Sequence, residues 1–98
     1  MKTDHFEQLY RGNYARLYYY AFRFVADEEA CRDIVNDVFE QAWKDREQLQ
    51  EATAVACLYT RTRNRFIDYL RHRQVEQQYA DFLRTLTSED PSITPGAR

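Results

Sequence analysis

The sequence predicts an all-α domain, a small bundle of three main helices, and three observations lead there. Two glycines and two prolines among 98 residues leave long stretches without helix breakers. Apolar residues recur at steps of three and four rather than two, the period of a helix face. Hydrophobic residues make up 44% of the chain and aromatics 15%, enough for one modest core.

The first helix is expected to start at Asp4, a carboxylate cap, with Glu7 three residues later reaching back as in a capping box. Phe6, Leu9, Tyr10, Leu17, Tyr18, Ala21 and Phe24 then form its apolar stripe and carry it to about Phe24. Gly12-Asn13 costs this helix some stability, and the Tyr18-Tyr19-Tyr20 run makes it apolar on more than one face, as suits a central helix.

Asp27 followed by Glu28 and Glu29 is a helix start, because these carboxylates meet the unpaired amides and positive dipole end of a first turn. Cys31, Ile34, Val35, Val38, Phe39 and Ala42 form the buried stripe of this second helix. Asp33, Asp37, Glu40 and Lys44 fall at steps of four, three and four on another, acidic face. Residues 45–53 carry one apolar side chain, Leu49, and no stripe, so they read as a loop. The third helix is expected from Ala54 to about Leu83, as one long helix or as a helix with a weak joint near Gln74. Val55, Leu58, Tyr59, Phe66, Tyr69 and Leu70 are expected to face inward. From Thr87 the tail is rich in Ser, Thr, Pro and Gly and lacks the apolar content to order itself, which reads as a linker.

Several function classes are disfavoured. No apolar run approaches the roughly 20 residues of a membrane span, and the start Met1-Lys2-Thr3-Asp4 leads into no signal-peptide core, so the chain is expected to work in the cytoplasm without membrane insertion. Cys31 and Cys57 lack metal-ligand spacing and read as small hydrophobes at helix surfaces. Asp33, Asp37 and Glu40 without a matching histidine make at most a weak metal site, so neither metal nor cofactor is expected. With no glycine-rich phosphate loop, no nucleophile elbow and no paired histidines, an enzyme is not expected and no residue is assigned to catalysis.

Charge distribution says more than the net value of −2. Residues 1–60 carry seven basic and eleven acidic side chains, whereas residues 61–73 carry five arginines against Asp68 alone. On the third helix Arg61, Asn64, Asp68 and Arg71 recur at steps of three, four and three, forming one polar ridge flanked by Arg63, Arg65 and Arg73. Such a ridge can offer an asparagine amide to a base edge while guanidinium groups hold phosphates. It can equally be a solvated face in which Asp68 pairs with Arg71 or Arg61. The aromatics Tyr59, Phe66 and Tyr69 beside it suit core packing more than base stacking. The acidic face of the second helix suits either solubility or a basic partner, and spacing alone does not choose.

The run from Asp33 to Trp43, DIVNDVFEQAW, resembles the polymerase-binding segment of region 2 in bacterial sigma factors. From Leu58, LYTRTRNRFIDYLRHR resembles the promoter-melting and promoter-reading segments, with Asn64, Asp68, Leu70 and Arg71 in register. Upstream, FEQLYRGNYARLYYYAFRFVADEEACRDIV is similar to the opening of extracytoplasmic-function sigma factors. The three blocks cover about residues 6–80 in the family's order, which chance short matches rarely achieve.

The resemblance implies a transcription-initiation domain that binds core RNA polymerase and recognises and melts the promoter −10 element. Asp33, Asn36, Asp37, Glu40 and Trp43 would dock on the clamp helices of the largest polymerase subunit, with Phe39 behind them. Asn36 stands where the family usually has glutamine, one methylene longer. The loop, including Arg46, Gln48 and Leu49, occupies the place where the family captures a base flipped from the non-template strand. Arg61, Asn64, Arg65 and Arg71 would line the melted DNA. Cys57 and Thr62 replace a tryptophan and an apolar residue common in the family, implying looser packing of the third helix. The family also implies an anti-sigma protein as a further partner. Residues 1–80 are taken as the region 2 domain and residues 81–98 as the start of a linker toward a second, helix-turn-helix domain for the −35 element, without which duplex DNA should bind poorly. The rival reading is a helical protein-interaction adaptor with no DNA role.

Overall fold

The computed structural model describes residues 1–87. Helix α1 spans Thr3–Phe22, α2 spans Glu28–Lys44, a 3₁₀ turn covers Glu51–Thr53, and α3 spans Ala54–Thr87. No strand occurs among the described residues, as the helical period requires. Two compact units divide the chain, Met1–Asp68 and a second beginning at Tyr69.

The N-terminus of α1 differs from the expectation. Lys2 takes the extended cap position and no side chain caps the helix, so Asp4 sits inside the first turn and contributes only its charge. Glu7 does not reach back: its carboxylate accepts from Arg11 at 2.8 Å, the ordinary i, i+4 pair. The helix starts earlier because the chain before it is tied elsewhere, the Met1 ammonium donating to the Arg46 carbonyl at 3.0 Å. At the other end α1 stops at Phe22, and the Val25 amide turns back onto the Ala21 carbonyl at 2.8 Å.

The expected cap of α2 is present, with Asp27 Oδ1 accepting from the Ala30 amide at 3.1 Å. All six residues of its expected stripe are buried. Four of them, Val35, Val38, Phe39 and Ala42, meet Phe6 and Leu17 of α1 and Leu58 of α3 in one core cluster. Leu17, Val35, Val38 and Leu58 are wholly buried, each contributing about 1.5–3 kcal/mol relative to exposure. Aromatic edges extend the core: Phe6 meets Trp43 at 5.1 Å between centroids and Phe39 at 6.4 Å, and Phe24 stacks on Phe66 at 4.8 Å. Phe24 and Tyr10, expected inside, each keep much of their surface exposed at the rim of this packing.

Within the first unit α3 buries Ala54, Leu58, Thr62 and Phe66, a strict four-residue repeat. Val55, expected inward, lies off this stripe and is exposed. Leu70, also expected inward, is exposed in the second unit. Thr62 is wholly buried and satisfies its hydroxyl by donating to the Leu58 carbonyl at 2.8 Å, so a polar side chain fits where an apolar one was expected. Cys31 is no surface hydrophobe: it is fully buried, and its thiol donates to the Val25 carbonyl at 3.0 Å. No break interrupts α3 near Gln74, and the helix continues past Leu83 to Thr87. The expected tail beyond Thr87 lies outside the described residues.

Candidate functional site

Helix α2 sorts its side chains by period. With Ile34, Val35, Val38 and Phe39 turned inward, Asp33, Asn36, Asp37, Glu40 and Trp43 all lie exposed on one continuous outer surface. Two neighbours organise that surface. The Tyr14 hydroxyl donates to Asn36 Oδ1 at 3.1 Å, and burial raises the Tyr14 phenol above its ordinary value, so it remains a donor. Arg65 of α3 reaches Asp37 Oδ2 at 3.3 Å, an exposed pair of small energy. Trp43 rests one edge on Phe6 while the Arg46 guanidinium lies over its ring at 3.8 Å.

The segment after α2 is built by short local bonds. Asp45 ends the helix, Gln48 N–H donates to the Asp45 carbonyl, and Arg46 Nη1 donates to the Trp43 carbonyl at 2.7 Å. Of the three loop residues expected at DNA, Gln48 is exposed. Leu49 is half-buried against the core and anchors the loop, and Arg46 is folded back on Trp43. At the far end, His5 Nδ1 approaches Glu51 Oε2 at 2.6 Å, which ties the 3₁₀ turn to α1.

Between α2 and α3 lies a cleft of about 340 Å³ lined by Val38, Gln41, Asp45, Arg61, Asn64 and Arg65. Arg61 Nη2 donates to Asp45 Oδ2 at 2.7 Å, both side chains retaining 28% exposure. This bond to the Asp45 carboxylate lifts the Arg61 pKa further above its ordinary value, against the opposing effect of burial. The pair is incompletely satisfied, since Asp45 Oδ1 and Arg61 Nη1 are buried without a hydrogen-bond partner. Arg61 therefore pairs with Asp45 rather than with Asp68, the partner its spacing suggested. Asn64 and Arg65 are exposed at the cleft. Arg71 belongs to the second unit, where it too is exposed.

The structure thus brings Arg61, Asn64 and Arg65 to one cleft and Asp33 to Trp43 to one face. Asp37 and Arg65 join the edges of the two. Spacing analysis missed Tyr14, Gln41 and Asp45. Gln41 and Asp45 carried a usable signal, for they continue the buried Ile34–Val38 row at steps of three and four with polar residues. Among the described residues no group of three His, Cys, Asp or Glu side chains is arranged to hold a metal ion. No described helix is long and apolar enough to cross a membrane.

A scan against protein-family profiles matches Sigma-70 region 2 over residues 9–76. The chain belongs to the sigma-70 region 2 family. Comparison with curated proteins and comparison with solved structures each found no match. The sigma domain's role is therefore RNA polymerase binding and promoter recognition, and its family is one of transcription initiation factors rather than enzymes. Membership sets aside the adaptor with no DNA role and gives the domain its partners in general terms, core polymerase and promoter DNA.

Proposed function

We propose that this domain is of the extracytoplasmic-function type and divides its two tasks between α2 and the α2–α3 cleft. The exposed surface of Asp33, Asn36, Asp37, Glu40 and Trp43 docks on the clamp helices of the largest polymerase subunit. The observation that carries this reading is that all five side chains stay at the surface while Ile34, Val35, Val38, Phe39 and Ala42 between them are buried. An acidic face of this kind suits a basic partner and speeds its encounter. Tyr14 holds Asn36 in place, which compensates for a side chain shorter than the family's glutamine.

The cleft, with Asn64 at its rim and the loop of Arg46, Gln48 and Leu49 beside α2, receives the non-template strand of the −10 element. Its exposed polar lining of Gln41, Asn64 and Arg65 favours a polar occupant such as a base edge. A base that has left the stack offsets by such bonds the few kcal/mol lost in unstacking. Arg65 and Arg71 supply phosphate contacts, and Arg61 serves mainly to shape the cleft through Asp45. An anti-sigma protein would act by covering these same surfaces. Core polymerase as the partner places the domain's work in the cytoplasm.

The test is binding to core RNA polymerase, comparing wild type with Asp33→Arg/Asp37→Arg and checking helicity by circular dichroism. Wild-type binding lost on charge reversal is the expected result. Undiminished binding of the folded variant would remove the α2 face from the proposal.

A further inference from the structure

From Leu70 to Leu86 every side chain of α3 is exposed. A helix of this length is marginal in water without packing on one face, yet this one carries large apolar groups. Val75, Tyr79, Phe82 and Leu86 are 57–63% exposed. Their spacing of four, three and four places them on a single stripe with the period of a two-helix seam. Away from the stripe, Gln77 Nε2 donates to Asp81 Oδ1 at 3.2 Å and Arg84 also bonds Asp81, so that face is polar and internally bonded. The same Arg84 guanidinium holds the Asp81 carboxyl below the usual carboxylate range.

We infer that this stripe pairs with the same stripe of a second copy, the two helices lying parallel and in register. Charge selects that occupant. With His72, Tyr79 and Leu86 at the first seam position of successive heptads and Val75 and Phe82 at the second, Arg71 precedes the seam at a g position and Glu76 follows at an e position. In a parallel pair a g residue meets the e residue five places on in its partner. Arg71 of each copy thereby faces Glu76 of the other, twice by symmetry. An antiparallel arrangement brings no such pair together. Because Arg71 is also placed at promoter DNA above, self-association would compete with that use.

Sedimentation equilibrium of the whole chain over roughly 10 µM to 1 mM tests this. Wild type is expected to pass from monomer to dimer mass across the series, and Phe82→Glu to remain monomeric. Arg71→Glu and Glu76→Arg, each placing like charges across the seam, are expected to weaken the dimer roughly tenfold. The double variant Arg71→Glu/Glu76→Arg is expected to restore wild-type association, since the pair is re-formed with its signs exchanged. Monomeric wild type throughout overturns the inference, as does a double variant no tighter than the singles. Val75→Cys in a Cys57→Ser background gives a separate reading of direction. A disulfide-linked dimer on mild oxidation supports parallel register, and its absence where wild type dimerises overturns it. None of these measurements involves polymerase, so failure here leaves the docking proposal standing.

Discussion

Asp45 and Arg61 show how a single pair can serve both stability and the site. Each loses part of its hydration at 28% exposure, and the 2.7 Å bond between them offsets that loss for one atom of each but not for the others. Removing the carboxylate leaves a partly buried guanidinium without its partner. Asp45→Ala is therefore expected to cost about 1–2 kcal/mol, less than a fully buried pair because solvent screens this one. A lower urea midpoint at unchanged slope is the expected signature. Cys31 makes a second residue-scale case. Burial pushes its thiol pKa up, so the folded state favours the protonated form. Its contribution is thus fully present below the unfolded thiol value of about 8.5 and is lost as pH rises through the folded value. Stability should fall from about pH 8.5 upward, and Cys31→Ala should flatten that decline in thermal melts across the range. Thr62 could not be placed from spacing alone: its bond to the Leu58 carbonyl is local to any helix, but whether that face is buried depends on the helices packed against it.

At the scale of elements, α2 was the most legible part of the sequence. Its cap, six-residue stripe and acidic face all follow from local chemistry: a carboxylate before two acids starts the helix, and the period sorts the rest. Replacing the cap tests this directly. Asp27→Ala is expected to lower stability by about 1 kcal/mol, and Asp27→Ser to recover most of it, both read from thermal unfolding at 222 nm. Helix α1 was less legible because its first turn is set by what holds Met1, a bond to Arg46 at a separation of 45 residues. Helix α3 was legible in extent but not wholly in orientation. Leu58, Tyr59 and Phe66 turn inward or partly so as expected, while Val55 and Leu70 do not. Period alone leaves the width of a buried stripe open, and the contacting helices decide it.

Across the molecule, the two sets of residues proposed for polymerase and for promoter meet at one ion pair, Arg65 with Asp37. If docking draws Asp37 to polymerase, Arg65 becomes available to phosphates, so the two activities are linked. Asp37→Asn is then expected to weaken polymerase binding while raising affinity for single-stranded −10 DNA by a few-fold, given the small worth of exposed pairs. Titrations by fluorescence anisotropy at two salt concentrations would read both effects, and equal loss for both ligands would speak against the linkage.

By itself the sequence determined that the chain is helical, where α2 begins, which six side chains that helix buries, and, through three ordered blocks, the family to which it belongs. These depend on neighbours a few residues away and on a helical period that every short window displays. Only the tertiary structure decided that Arg61 is held by Asp45, that Tyr14 steadies Asn36, and that Leu49 anchors its loop in the core. Such partners lie on different elements, and which of several arginines meets which carboxylate is set by the angle and register at which helices pack.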